Sequence, residues 1–590
     1  MNIPYPGIDL SNDRKTVVKQ KFNKNNNKWQ EVRVCDAIWI EETYRNIDDD
    51  NVSAKIGFSF SGRENYLTAN RDDYLNLQNI LKFQKQGLDV LHTNVKDVIT
   101  HLRNEEYMAP QKNHHLKLGF DTFDSKTVFK HYKILGSNLK SDYVGKYEIK
   151  PKGSRDKWMK MYQEQVQGCT TLELICIISL SATVLGYIGE DLGLDSIICH
   201  LAGDSSTGKS TAMKLAISMF GYPDVKENGL FTSYNSTANA LIKALAGIKG
   251  VPVAFDEISM ANDKDLCNLV YKLSNGADKS RMNKNSELRS KETWLTTILS
   301  NGEEPIIQSS HNTGVYNRVF EFDNITWTKD AKNAESIKKV IIKNYGFIGT
   351  EFVEYIMKQG KNQVYKIYQE NKRILKEIFS QRKVQDNFTD RRINNHAILT
   401  TTALLFEQAF GIQVCKDEML EILIDVEKES IEKRNFDKTA IDFIYDFITI
   451  NINKFSLSYK PEGLIKPKEP QAEYWGKIMV SESNIEVEIN PVILDIALTK
   501  GNFKNAIVVL KQLKDSGHLD HEDNKLYRKR KNQFGKLAKV YVVIINNEDE
   551  DERFEEINKL LDEIRDSNKR TLLLKEKNRM KDELKDSEER

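Results

Sequence analysis

The sequence predicts a multidomain α/β protein, and three observations support that fold class. The chain has 590 residues, and single hydrophobic cores rarely exceed about 250–300 residues. A glycine-rich loop stands between an apolar run that predicts a strand, 197–202, and a segment with an apolar helical face, 211–220. Further apolar runs follow, separated by segments of helical periodicity. Strands that alternate with helices in this way form a parallel sheet.

Composition and charge exclude several classes of protein. The net charge is +1, so any surface that binds nucleic acid must be local. The six cysteines are scattered and form no C-x-x-C pair, which argues against a zinc ribbon or a disulfide framework and fits a reducing cytoplasm. The first residues lack the pattern of a signal peptide. The longest apolar run, 172–188, includes Glu173 and Ser179 and predicts a buried helix, so we expect a cytoplasmic protein without membrane contact.

Residues 1–150 predict an α+β domain that precedes the region of the glycine-rich loop. Short strand-like runs alternate with turns there, and segments 73–85 and 94–104 predict helices. No catalytic pattern is evident, which favours a structural or docking role over an independent enzyme. Residues 151–435 predict the central nucleotide-binding domain, which ends in a helical lid.

The glycine-rich loop has the pattern G-x-x-x-x-G-K-S and predicts a phosphate site. Glycines permit backbone angles that turn successive N–H groups towards one point, next to the positive end of a helix. Lys209 would reach the β- and γ-phosphates, and the Ser210 hydroxyl would hold Mg²⁺. ATP and Mg²⁺ are therefore the predicted cofactors. The residues predicted to bind the nucleotide here are Gly203, Asp204, Ser205, Ser206, Thr207, Gly208, Lys209, Ser210 and Thr211.

An apolar run that ends in Asp256-Glu257 predicts the second half of the site. Asp256 would bind Mg²⁺ through water, and Glu257 would orient and activate the attacking water. The next strand ends in Asn301, a polar side chain that we expect near the γ-phosphate or the water. Arg318 immediately precedes the last strand. In ring ATPases an arginine at this place faces the nucleotide of the neighbouring subunit and stabilises charge in the transition state.

Two further features predict contacts with ligands. Residues 275–290 form a basic segment between the Asp-Glu strand and the strand that ends in Asn301, and we interpret it either as a DNA-gripping hairpin in a pore or as a solvated loop. Its cations are Lys279, Arg281, Lys284 and Arg289. In the helical lid, the adjacent residues Arg391 and Arg392 open a predicted helix. Arg392 is the candidate for a γ-phosphate contact.

Residues 436–546 predict a winged-helix domain, since two helical segments are followed by a basic strand-like stretch. Arg528, Lys529 and Arg530 are its candidate DNA contacts, although such a domain also serves to regulate a ring. Residues 547–590 are strongly charged with scattered leucines, which is typical of a solvated helix, a weak coiled coil or a disordered tail.

Together these motifs resemble the ATPase module of a group of phage and mobile-element proteins. The matching residues are Gly203–Thr211, Val253–Glu257, Leu-Ser-Asn-Gly-Glu at 299–303, and Asn317–Val319. The layout of the whole chain resembles the Cch helicases of staphylococcal cassette chromosome elements, which are similar to MCM-type AAA+ replicative helicases. This resemblance implies a homohexameric ring that hydrolyses ATP to translocate on single-stranded DNA, with the residue roles given above.

We therefore expect an ATP-dependent DNA helicase with an AAA+ P-loop core, acting on single-stranded and forked DNA for replication of a mobile element. A primase or another replication protein is a possible partner. Two alternatives remain open at this stage. One is a loader ATPase that acts without unwinding, and the other is an origin-binding initiator that uses ATP only as a switch.

Overall fold

The chain divides into two compact units, and each is described by itself. The first unit comprises Met1–Ile306 and Asn317–Val426, and the second comprises Ile307–Tyr316 and Glu427–Arg590. The computed structural model describes residues 7–25, 27–225, 228–261, 266–278, 292–306, 313–434, 436–459, 473–480, 484–501, 503, 506–523, 525–531 and 535–546.

The amino-terminal part of the first unit contains strands and helices around one apolar core. Two of its sheets have the strand orders β1–β2–β3 and β11–β7–β4–β5–β6. Fully buried Ile38, Ile56, Val98 and Leu102 belong to the core that these sheets share with α2. This agrees with the α+β organisation predicted for residues 1–150. The elements are β1 (Ile8–Leu10), β2 (Thr16–Asn23), β3 (Lys28–Asp36), β4 (Ile38–Asn46), β5 (Val52–Phe60), β6 (Arg63–Asn70), α1 (Arg71–Tyr74), α2 (Val95–Met108), β7 (Gln111–His115), β8 (Leu118–Phe123), β9 (Lys126–Lys130), β10 (Ile134–Leu135) and β11 (Asp142–Tyr143).

The helix predicted over 73–85 is interrupted. Helix α1 ends at Tyr74, and a 3₁₀ helix occupies Ile80–Gln86. Between them, the Asn76 side-chain oxygen accepts hydrogen bonds from the backbone N–H groups of Gln78 and Asn79. An asparagine that bonds to nearby backbone in this way competes with the helical hydrogen bonds, so the segment forms a turn.

The central part of the first unit is a five-stranded parallel sheet with helices around it. The strand order is β13–β15–β16–β12–β17, and every neighbouring pair is parallel. The carboxyl ends of all five strands therefore meet at one edge. The elements are α3 (Arg155–Met161), α4 (Thr170–Ile188), β12 (Ile197–Leu201), α5 (Lys209–Ser218), β13 (Phe231–Ser233), α6 (Ala238–Leu245), β14 (Ile248–Lys249), β15 (Val253–Asp256), α7 (Leu266–Ser274), β16 (Thr297–Asn301), α8 (Thr313–Tyr316, grouped with the second unit) and β17 (Val319–Phe322).

A shared sheet joins residues 1–150 to the central part. Strand β14 pairs in parallel with β8, which extends the β10–β9–β8 sheet. Gly119 lies on β8 with φ +96°, and a Cβ atom there would stand 1.7 Å from the Lys249 carbonyl oxygen. Only glycine permits so close an approach. The predicted boundary at residue 150 thus falls inside one compact unit.

Helix α4 is a core helix. Among the described residues it is the one helix long and apolar enough to cross a membrane, and 94% of its apolar window is buried inside the fold. This placement agrees with the buried helix predicted over 172–188. A helical block follows β17 in the chain, at the place of the helical lid predicted to end residues 151–435. Its elements are α9 (Ala331–Ile341), α10 (Ile348–Gln359), α11 (Lys361–Gln381), α12 (Thr389–Phe410) and α13 (Lys416–Arg434).

The second unit contains the two predicted helices and the predicted basic hairpin, together with strands that the sequence did not predict. Its sheet has the order β18–β19–β20–β23–β21, and β22 pairs antiparallel with β23. Fully buried Val487, Leu494 and Leu513 belong to its core. The predicted tail, 547–590, lies outside the described residues. The elements are α14 (Phe436–Ile450), β18 (Phe455–Tyr459), β19 (Gly476–Val480), β20 (Asn484–Ile489), α15 (Pro491–Lys500), α16 (Ala506–Asp515), β21 (Leu519–Asp520), β22 (Arg528–Lys531) and β23 (Leu537–Asn546).

Candidate functional site

The glycine-rich loop connects the carboxyl end of β12 to the amino end of α5. Gly203 and Gly208 have φ values of +123° and +88°, and Ser206 is also left-handed with φ 71°. A Cβ atom on Gly208 would lie 2.4 Å from the Thr328 hydroxyl oxygen, so a larger residue does not fit there. The loop therefore has the backbone form that turns N–H groups towards a bound anion at a helix amino terminus.

Lys209 lies folded across this loop. Its side chain is buried, and the Nζ atom donates hydrogen bonds to the carbonyl oxygens of Gly203, at 2.5 Å, and Asp204, at 2.7 Å. The Thr207 hydroxyl donates to the same Asp204 carbonyl, and the Trp327 N–H donates to the Thr207 carbonyl. The ammonium is thus held at the loop by neutral oxygens, which a phosphate can replace with a stronger, charge-assisted interaction.

Asn301 brings the polar residues of three neighbouring elements together. Its Nδ2 atom donates to the Asp256 Oδ1 atom at 2.9 Å and contacts the Ser210 Oγ atom at 3.4 Å. Its Oδ1 atom accepts a 2.7 Å hydrogen bond from the Glu257 N–H. The amide is buried at the end of β16, the strand between β12 and β15. A hydroxyl and a carboxylate so close to one point are suitable oxygen ligands for Mg²⁺, directly or through water.

Glu257 has a strained backbone. Its φ of 59° is left-handed, a conformation that non-glycine residues adopt rarely and mostly where the surroundings hold them. The hydrogen bond to Asn301 holds its N–H, and the Ser259 hydroxyl donates to its Oε1 atom at 2.7 Å. The turn directly follows the end of β15, at the same edge as the phosphate loop.

A buried polar network that the sequence analysis missed lies beneath this edge. His200 on β12 contacts the Ser300 hydroxyl through Nδ1 at 2.9 Å and the Glu304 carbonyl through Nε2 at 3.0 Å. The Tyr234 hydroxyl also contacts Ser300 at 2.9 Å. Burial lowers the pKa of His200 to about 4, so its ring is neutral. Its one sequence signal is a histidine inside an otherwise apolar strand.

Arg318 lies at the opposite edge of the sheet. It precedes β17, whose first residue, Val319, pairs with Ile198 near the start of β12. The guanidinium carbon stands 4.8 Å from the centre of the Tyr271 ring, and Nη2 lies 3.9 Å from an Asp195 carboxylate oxygen. Arg391 approaches the same oxygen at 3.5 Å. Asp195 therefore anchors two arginines at the amino edge, away from the phosphate loop.

The structure does not bring Arg392 to the phosphate loop. Its side chain is fully buried, and Nη1 donates to the Val319 carbonyl at 2.9 Å. The guanidinium also stacks over the Phe320 ring at 4.5 Å. Because Val319 is at the amino end of β17, Arg392 fixes α12 to the edge opposite the nucleotide loop. The structure thus holds Arg392 away from the phosphate loop, and its contact with a γ-phosphate stays a prediction.

The predicted pore hairpin falls largely outside the described residues, and Lys279, Arg281, Lys284 and Arg289 are all among those not described. Its flanks are described, and they pair. Ala277 and Thr293 form an antiparallel bridge, the Trp294 N–H donates to the Gly276 carbonyl, and the Asp278 N–H donates to the Glu292 carbonyl. The two ends of the basic segment thus come together, and its DNA contact stays a prediction.

The three predicted DNA contacts of the second unit differ in their surroundings. Along β22, Arg528 forms a two-pronged ion pair with Asp520, and Arg530 contacts both Asp520 and Glu488. The Lys529 side chain between them is exposed. Alternate residues of a strand point to opposite faces, so the arginines face acids within the unit and Lys529 lies on the solvent side. On β23, exposed Lys539 stands over the Tyr527 ring at 4.7 Å.

Comparison with known proteins finds matches to two protein families and to 202 chains of solved structures, one of which is described here. Residues 10–293 match a domain of unknown function, DUF927, and residues 435–550 match the Cch helix-turn-helix domain. One matching solved structure is described as "SCCmec type IV Cch - active helicase". It covers 92% of this chain and 98% of its own, with a TM-score of 0.71 and 22% sequence identity. No curated protein matches the chain. These matches confirm the resemblance to Cch proteins that the motifs predicted.

Proposed function

We propose that this chain, which shares the fold of a Cch helicase and carries the Cch helix-turn-helix domain, is an ATP-dependent DNA helicase of the AAA+ class. One observation carries the proposal. Lys209, Ser210, Asp256, Glu257 and Asn301 come from three strand ends and lie at one edge of a parallel sheet. This is the edge where ligands bind in open α/β sheets.

The residues at this edge fit ATP with Mg²⁺. The loop N–H groups and the end of α5 would hold the phosphates, and Lys209 would leave the Gly203 and Asp204 carbonyls to neutralise the β- and γ-phosphates. Ser210 and Asp256 would hold the cation. Mg²⁺ supplies positive charge that stabilises the developing charge on the transferring phosphoryl group.

Glu257 is the proposed general base. Its carboxylate would accept a proton from the attacking water, and a positioned base of this kind contributes about 10²–10⁴ in rate. Asn301 would position it, because the same amide holds the Glu257 N–H and the Asp256 carboxylate. The buried His200–Ser300–Tyr234 network would keep the end of β16 in place beneath Asn301.

Arg318 is the proposed arginine finger, acting on the neighbouring subunit. Strand β12 separates it from Lys209, and five extended residues span roughly 16 Å, so it does not reach the phosphates of its own subunit. A closed ring places the surface of one subunit against a different surface of the next. We propose a homohexamer, in which the Arg318 edge of one subunit completes the phosphate edge of its neighbour.

The proposed ligand of the motor is single-stranded and forked DNA in the cytoplasm, for replication of a mobile element. The basic segment 275–290 would grip phosphates in the pore. In the helix-turn-helix domain, exposed Lys529 is a better DNA contact than Arg528 or Arg530, because those two arginines are paired with acids. A primase or another replication protein is a proposed partner.

Strand displacement on a forked DNA in the presence of ATP tests the proposal. The wild type and Glu257→Gln are compared under the same conditions. The expected result is unwinding by the wild type and none by the variant. ATP hydrolysis without unwinding would favour a loader. Slow hydrolysis that is insensitive to single strands, with sequence-specific DNA binding, would favour an initiator. A wild type that neither hydrolyses ATP nor binds it would contradict the site assignment itself.

A further inference from the structure

A cluster of three potential metal ligands lies in the amino-terminal part of the first unit, far along the chain from the phosphate loop. One ligand atom each from Asp9, His101 and Glu105 lies within 4.8 Å of the others. His101 and Glu105 are one helical turn apart on α2, so they share a face of that helix. Asp9 comes from β1, near the start of the chain.

The hydrogen bonding of His101 leaves one ring nitrogen available to a metal. Its Nε2 atom lies 2.7 Å from the Ile38 carbonyl oxygen. Because a carbonyl only accepts hydrogen bonds, Nε2 carries a proton, and in the neutral imidazole Nδ1 then carries a lone pair. The ring is 1% exposed, and within the described ranges Nδ1 has no hydrogen-bond partner. A metal-bound histidine commonly donates its other N–H to a backbone carbonyl in this way.

A buried nitrogen without a partner lowers the stability of the fold. A ligand bound to the Nδ1 atom of His101 would remove this cost. The Ile40 N–H donates to the Glu105 Oε2 atom at 3.4 Å, and a carboxylate oxygen of Glu105 belongs to the cluster. A cation bound by the two carboxylates and by Nδ1 would supply the missing partner of His101.

The distances between the three ligand atoms suit a small transition-metal ion if the side chains move slightly closer together. Zinc bonds to nitrogen and carboxylate oxygen are about 2.0–2.2 Å long, which sets tetrahedral ligand atoms about 3.4 Å apart. Asp9 is exposed, and we expect rotation of its side chain to bring its carboxylate closer to the other two ligands. The Leu10 N–H donates to Asp9 Oδ1, which leaves Oδ2 available. Water would complete the coordination.

We propose that Asp9, His101 and Glu105 bind a divalent transition-metal ion, with Zn²⁺ as the probe, that ties strand β1 to helix α2. The site is structural. It contains no group of the proposed ATP site and is independent of the proposed function. Ile8 and Leu10, on either side of Asp9, pack against the core that α2 also contacts, so the ion would fix the first strand of the chain to that core.

The test is zinc binding by the full-length protein after chelator treatment, measured by competition with a coloured chelator and by metal analysis. Asp9→Asn, Glu105→Gln and His101→Gln should each weaken zinc binding by more than about a hundredfold, because each removes a direct ligand. Asp9→Asn changes an exposed residue, so it remains informative if the buried His101 variant folds poorly.

Two matched controls separate this site from other zinc contacts. Glu106→Gln removes the neighbouring carboxylate, which pairs with Arg71 at 2.7 Å, and His92→Gln removes an exposed histidine. Both should bind zinc as the wild type does, and zinc should raise the melting temperature of these proteins but not that of the ligand variants. A wild type without zinc affinity in the micromolar range, or ligand variants that bind as the controls do, would overturn the proposal.

Discussion

The charged side chains at the two edges of the central sheet have different kinds of partners. At the carboxyl edge, Lys209 is held by neutral carbonyl oxygens and Glu257 stands on a strained turn, so both are ready to interact with a ligand. At the amino edge, Asp195 contacts both Arg318 and Arg391, and the arginines are kept in place by acid and aromatic partners. This difference is what we expect if, as proposed, each chain contributes half of a site at each edge and neighbouring subunits complete the site.

The strongest test of the carboxyl edge is Lys209→Ala. Loss of the ammonium should lower ATP hydrolysis by at least about a hundredfold, because one preorganised group at a developing charge contributes about 10²–10³ in rate. ATP affinity and hydrolysis should both be measured. Lys214→Ala, on the same helix but paired with Asp224 at 2.8 Å, should leave both near the wild-type level. Equal loss in the two variants would show that helix α5, not the ammonium, was damaged.

Glu257→Gln separates binding from chemistry at the same edge. Hydrolysis should fall by about 10²–10⁴ while ATP affinity is retained, since the amide cannot take the proton from water. Single-turnover hydrolysis beside nucleotide binding provides the measurement. The control is Glu303→Gln, which changes an exposed carboxylate and keeps the backbone contact of Gly203. If the Glu257 variant turns over at the wild-type rate, another group is the base.

The pH dependence of the free energy of unfolding tests whether buried histidines of the first unit are neutral. One of them, His200, lies between the two edges of the sheet. Burial lowers the pKa of His200 to about 4 and that of His131 to about 3, against an ordinary value of 6.5. Below pH 6.5 these two histidines therefore bind protons in the unfolded chain but stay neutral in the folded chain. Stability should be full above pH 6.5 and should fall towards pH 4, by about 2 kcal/mol per histidine at pH 5.

Urea unfolding at several pH values measures this loss. His200→Asn should be less stable at neutral pH but should show a shallower fall, whereas His92→Gln, at an exposed site, should keep the wild-type slope. A wild-type stability that does not change between pH 6.5 and pH 5 would contradict the neutral, buried state of these rings.

The smallest expected effect concerns strand β22 of the second unit. Arg528 and Arg530 are paired with acids there, whereas the Lys529 side chain is exposed. Lys529→Ala should weaken DNA binding a few-fold and reduce the salt dependence by about one phosphate contact. Arg528→Ala should instead lower the stability of the unit, because Asp520 loses its two-pronged ion pair with this arginine. Salt titrations of DNA affinity and melting curves distinguish them. The reverse pattern would show that the paired arginines are the DNA contacts.

The carboxyl edge could be predicted from sequence because its chemistry is local. The phosphate loop, Asp256-Glu257 and Asn301 each follow a short apolar strand, and parallel strands bring their carboxyl ends together. The strand alternation, the helical block and the basic hairpin of the second unit could be predicted for the same reason.

The other features depend on contacts between distant segments. The pairing of β8 with β14 crosses residue 150 and leaves no local signal. The burial of Arg392 against Val319 depends on how α12 packs, and an arginine at a helix start gives no hint of it. The His101 cluster joins residues more than ninety positions apart, so only the fold reveals it.

A mixing experiment tests most directly whether the two edges form one shared site. Arg318→Ala alone should bind ATP but hydrolyse it about 10³–10⁵ times more slowly, and Lys209→Ala alone should fail to bind it productively. In a mixture of the two variants, some subunit contacts pair an intact phosphate edge with an intact Arg318. A site shared between subunits predicts that the mixture regains part of the wild-type hydrolysis in the presence of DNA. A mixture no more active than its separate components would contradict a site completed by the neighbouring subunit.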